Sequence, residues 1–195
     1  MVSAQTHQRQ QRATAARLLL SLHGQGNLDQ PERWTWDALD RLPAWCLSDS
    51  TERQQLQQVC GALYLSPDIR FWIEKPALQA LQSIIGEQVF TQIMNHADAM
   101  ALPREPLATV MNNAAFNPSS VQITELLELL MAAGATVLSA TVHESLPRDM
   151  LVSSLGEGVG ELNAEAGHAL HDVAVVLLQS SAEATSVTNN NGGAV

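Results

Sequence analysis

Two imidazoles, His168 and His171, stand three residues apart with Asp172 beside them, a spacing at which side chains on one helix face can reach a single metal ion. Two ligands rarely hold a metal, and no third follows at a recognisable spacing. The favoured reading is a pair of exposed histidines on an acidic helix. Cys46 follows Trp45, and Cys60 shares a helical face with Val59 and Leu63, so burial should raise both thiol pKa values and leave them inert as nucleophiles. Gly156, Gly158 and Gly160 resemble a phosphate loop, but no strand precedes them, no Gly-Lys-Ser/Thr follows, and Glu157 and Glu161 would repel the phosphate. They read as a linker between helices. Glu125 and Glu128, three apart, have the spacing of paired acid and base carboxylates; His143 and Glu144 repeat the ambiguity with less support. The solvated face of an amphipathic helix accounts for Glu125 and Glu128 better. No catalytic, cofactor-binding or metal-ligating residue is therefore assigned.

The balance of charge narrows the choice of partner. Among 195 residues, ten Lys plus Arg face twenty Asp plus Glu for a formal net charge of −10. Nine of the acids but only Arg148 among the bases lie beyond Glu105. Phosphate-neutralising surfaces are basic, so nucleic acid is excluded as a partner, and an anionic membrane face is disfavoured for the same reason. No stretch reaches the roughly 18 uninterrupted apolar residues of a membrane span, and the Gln-, His- and Arg-rich start lacks the apolar segment of a signal peptide. The expectation is a cytoplasmic protein with reduced thiols and no direct membrane insertion.

The elements that must position these residues are helices. Apolar residues recur at steps of three and four, strand signals are nearly absent, and the chain is long enough for one compact core. A first helix is expected over about 4–22, ending at Gly24 and Gly26. Trp34, Trp36 and Trp45 lie in a segment broken by Pro43. Asp49 with Glu52 resembles a capping box opening a helix through Leu56, Val59, Cys60 and Leu63. Ser66-Pro67-Asp68 signals a new start. Lys75-Pro76 starts another helix, running through Leu78, Leu81, Ile85, Val89 and Ile93 to about Met100. After the turn at 117–120, Val121 to about Leu146 carries the longest apolar pattern, whose stripe is too wide for an exposed helix and should be central. Pro147-Arg148-Asp149 opens a short helix, and Leu162 to about Gln179 forms the last one. The expected fold is all-α, a single compact multi-helix domain over 1–182 with a disordered tail over 183–195.

Gly61-Ala-Leu-Tyr-Leu-Ser-Pro-Asp-Ile-Arg70, followed by Ile73, Leu78, Leu81 and Ile84-Ile85-Gly86, resembles the SctK family of type III secretion accessory proteins, also called the YscK and OrgA type. Gly134-Ala-Thr-Val-Leu138 with Leu146-Pro147 resembles the same family's late helices. The two stretches cover about half of the chain; the Gly-rich segment and the helix from Glu161 onward do not align with the family. The resemblance implies a non-enzymatic cytosolic adaptor of the sorting platform, joining the cytosolic domain of the inner-membrane ring to the pod protein that holds the ATPase complex. It implies a location at the inner membrane through protein partners alone. On that reading Glu125, Glu128, Glu157, Glu161 and Glu165 are expected to bind a basic partner surface, with Trp34 and Trp36 as candidate interface anchors. The alternatives are a small helical ligand-binding protein or enzyme with a pocket between the long helix and the tryptophan-rich half, or a helical secretion chaperone.

Overall fold

In the computed structural model, which describes residues 12–14, 17, 35–70, 75–96, 122–146 and 148–190, the Asp49 side chain caps the first long helix. Its carboxylate accepts from the backbone N–H groups of Thr51 at 2.8 Å and Glu52 at 2.9 Å, two of the donors that a helix start leaves without a partner. The elements in order are α1 (Trp36–Asp40), a 3-10 turn (Ala44–Cys46), α2 (Ser50–Ile69), α3 (Lys75–Ile85), α4 (Glu87–His96), α5 (Ile123–Ala140), α6 (Arg148–Val152) and α7 (Ala164–Asn190). The fold is all-α, with no strand among the described residues.

The centre of the molecule is the crossing of α2 and α5. Both helices carry a glycine where they meet, and each is needed there. A methyl group on Gly61 would be driven into the carbonyl oxygen of Leu130, and one on Gly134 into the carbonyl oxygen of Gln57. With no Cβ in the way, the two backbones touch, and Val59, Leu63, Leu126, Leu130 and Leu138 close over the contact, all essentially inaccessible. The expectation that the long apolar helix is central is met. Its length and composition would also suit a membrane span, yet half of it is buried within the fold, where it packs against α2 and α7. The α7 helix lies against both, with Gly167 set close to Ala140 and Val137.

One buried amide ties the crossing to the chain that follows. The Gln57 side chain, 2% exposed, donates from Nε2 to Met131 O at 2.7 Å and to Leu155 O at 2.8 Å. It links α2, α5 and the loop after α6. On the other side Trp45 Nε1 donates to Thr141 Oγ1 at 3.0 Å, and that hydroxyl donates to Leu138 O at 2.7 Å. A core tryptophan thus satisfies its one donor while closing the end of α5.

Several boundaries differ from the sequence reading, among them the end of α5, which stops at Ala140 and not near Leu146, and the start of α7 at Ala164 in place of Leu162. Ser66-Pro67 does not start a helix: α2 runs through Pro67 to Ile69. Proline offers no N–H to the carbonyl four residues back, and here Ser66 Oγ donates to Leu63 O at 2.8 Å in its place. The helix expected from Pro76 to about Met100 is two, because Gly86 at φ 87 takes the left-handed conformation that ends α3. The α5 helix begins at Ile123, where the Gln122 N–H donates to the Glu125 carboxylate at 3.4 Å. The last helix continues past Gln179 to Asn190, since extending a formed helix costs far less than nucleating one. The expected first helix is helical at Arg12 to Thr14 and at Arg17, and its remaining positions lie outside the described residues, as do Phe71, Trp72, the 117–120 turn, Pro147 and 191–195.

Candidate functional site

The carboxylates expected to form one contact surface belong to two ends of α5. Glu125 and Glu128 are exposed on its first two turns. Glu157 and Glu161 are exposed on the glycine loop and Glu165 on the first turn of α7, where an acid favours the positive end of the helix dipole. The loop meets α5 at Thr136, about 12 Å of helix beyond Glu128 at ~1.5 Å per residue. Glu125 has a second duty as acceptor at the start of α5. Trp34 lies outside the described residues, as does the side chain of Trp36, whose backbone opens α1.

The loop end of α5 holds a cleft of about 360 Å³. Thr136 and Ser139 contribute from α5, Arg148, Asp149 and Val152 from α6, and Gly158, Gly160, Glu161 and Leu162 from the loop. The loop is pinned there: Val159 N–H donates to Thr136 Oγ1 at 2.9 Å. A Cβ on Gly158 would stand 2.8 Å from that same hydroxyl oxygen, so the close approach requires glycine. Gly156 at φ 87 makes the turn that leads into it. Leu146, Leu151 and Leu155 are buried on the inner side of this segment. Arg148, Asp149 and Glu161 are exposed, and none of them forms an ion pair among the described residues. The cleft is built from α5, α6 and the loop, and no residue of the tryptophan-bearing segment is in its lining. Sequence reasoning took Glu161 from this site but missed Arg148 and Asp149 as its companions.

The other chemistry-bearing residues have local roles. His171 Nδ1 lies 3.1 Å from Asp172 Oδ1, His168 is exposed, and no group of three or more metal-binding side chains occurs among the described residues. His143 Nδ1 accepts from the Ser145 N–H at 3.1 Å and stands 2.8 Å from Ser145 Oγ, shaping the turn after α5. Cys46 and Cys60 are free and buried. Burial pushes the Cys46 thiol up to about 12, and raises that of Cys60 as well. Away from the cleft, Arg12 Nη2 and Asp40 Oδ2 pair at 2.7 Å, and this hydrogen-bonded contact lowers the Asp40 carboxyl below its ordinary value.

No family model, no curated protein and no solved structure matches the chain.

Proposed function

We propose that this protein is a non-enzymatic cytosolic adaptor of a type III secretion sorting platform, joining the cytosolic domain of the inner-membrane ring to the pod protein. The observation that supports this most is where the resemblance falls in the fold. The stretch beginning at Gly61 and the stretch beginning at Gly134 are far apart in the chain, yet their leading glycines form the two sides of one crossing. Residues that resemble one family in two separate runs therefore meet in the fold, which supports reading them together. The second support is the acidic half, whose exposed Glu128, Glu157, Glu161 and Glu165 suit a basic partner surface.

The test is binding between purified components: this chain, the ring's cytosolic domain and the pod protein, at low and high salt. The adaptor reading expects one complex containing all three, weakened as salt screens beyond about 8 Å at physiological ionic strength. Glu128→Lys combined with Glu125→Gln, which keeps an acceptor for the Gln122 N–H, should weaken capture of the partner at unchanged helicity. Failure of the unaltered protein to bind either component at any salt concentration would remove the reading.

A further inference from the structure

We propose that the cleft between α5, α6 and the glycine loop binds a cationic group with a carboxylate beside it, the chemistry of an arginine or lysine at the C-terminal end of a peptide. The starting point is Arg148. It is the only base beyond Glu105, and nine acids share that part of the chain. None of the nine pairs with it, not even its neighbour Asp149 or Glu161 on the facing loop. An arginine surrounded by potential partners and bound to none keeps its whole fork of donors for something outside the chain, and that fork matches a carboxylate in both spacing and planarity.

The field around the cleft limits what can bring that carboxylate. Glu157, Glu161, Glu165 and Asp149 are all exposed, and a region of one sign repels ligands of the same sign before they arrive. Free anions and acidic peptides are therefore disfavoured although Arg148 would suit them locally. A carboxylate accompanied by a cation meets no such barrier, and Asp149 and Glu161 are the groups in the lining that would take the cation. Size points the same way. At about 360 Å³ the cleft is near the lower end of the ~300–1,000 Å³ usual for ligand sites, enough for one residue and its terminus. The hydroxyls beneath are already engaged: Thr136 Oγ1 accepts from Val159 N–H, and Ser139 Oγ donates to Ala135 O. Recognition is left to the three charged side chains, and their exposure keeps the affinity modest.

The inference rests on the reading of the acidic half as a contact surface, and names what that surface takes at this point. It is tested by calorimetric titration of the full chain with three probes: an acetylated tripeptide ending in arginine, its C-terminal amide, and free arginine. The tripeptide should bind, and amidation or Arg148→Gln should each weaken it by about two- to fivefold, the loss expected for one exposed ion pair. Glu161→Gln should weaken it less, and Arg148→Gln should leave the thermal midpoint unchanged because the side chain is exposed. Free arginine binding as well as the tripeptide would assign the cleft to a free amino acid, and binding of the tripeptide alone to a peptide end; both retain the proposal. Equal binding of acid and amide, equal binding to Arg148→Gln, or no binding of any probe would overturn it. If the ring domain or pod protein is captured and Arg148→Gln has no effect, the cleft inference falls and the adaptor reading stands. If the tripeptide binds but neither component does, the reverse holds.

Discussion

The α2–α5 crossing and the segment over 141–163 are both packed on α5, and they are held by different means. The crossing is apolar and without spare volume, two backbones in contact through Gly61 and Gly134. The later segment adds directional hydrogen bonds, Gln57 to Leu155 O and Val159 N–H to Thr136 Oγ1, to a few buried leucines, Leu146, Leu151 and Leu155, and leaves a cleft with three exposed, unpaired charges. Close packing tolerates almost no change of volume, whereas a few hydrogen bonds over a partly open surface tolerate substitution and can give way locally. One region is committed to the fold, and the other has groups to offer a partner.

Leu130→Asp should break the first region outright, since a carboxylate at a position with 0% exposure is cut off from water in an apolar core. A loss of about 4 kcal/mol or more should appear as absent cooperative unfolding in circular dichroism. Next is Gly134→Ala or Gly61→Ala. In an ordinary helix this exchange gains about 1 kcal/mol, but here the added methyl meets a backbone carbonyl that no rotamer change can move aside. The expected net effect is a loss of about 2 kcal/mol or more in chemical denaturation. A gain would mean that the two helices are further apart than described.

Gln57→Leu sharpens the contrast because it touches both regions. It leaves Leu155 O without its donor, at a cost of about 1–3 kcal/mol, and amide exchange should accelerate over 153–160 while the α2–α5 crossing keeps its protection. The buried thiols give a smaller, pH-dependent effect. In the unfolded chain they ionise near their ordinary value of 9.0, whereas folded Cys46 keeps its proton to about 12. The folded state therefore binds more protons within that window, and stability present below about 9 is lost as pH rises toward about 12. Urea midpoints should fall with alkaline pH more steeply for the unaltered protein than for Cys46→Ala/Cys60→Ala, and native thiols should resist alkylation.

How far the sequence revealed this arrangement depends on the range over which each signal acts. Asp49 as a cap, the start at Lys75-Pro76, and the central place of the helix through Leu126 and Leu138 rest on neighbours within a turn or two, and were legible. Pro67 misled because its usual meaning depends on a missing donor, and only the fold reveals that Ser66 Oγ supplies one. Gly86 was hidden by an apolar rhythm that continues unbroken from Leu81 to Ile93 across the turn. Gly61 and Gly134 could be marked as family-like residues, but that they face each other is a tertiary fact. The same holds for the cleft: Arg148 and Glu161 are thirteen positions apart, with no periodicity to connect them until the glycine loop folds back onto Thr136.

The pairing of Gln57 with Met131, separated by 74 positions, carries a consequence for synthesis on the ribosome. Every contact of the central crossing joins the early α2 to a helix translated much later. At roughly 5–20 residues per second, the face of Leu56, Val59, Cys60 and Leu63 waits about 4–15 s for its cover, and closing so long a loop must precede any reward from the contact. The nascent chain therefore passes through an interval in which the face of α2 meant for α5 stays uncovered, and a destabilised or delayed α5 would prolong it into aggregation before any mature protein had the chance to unfold.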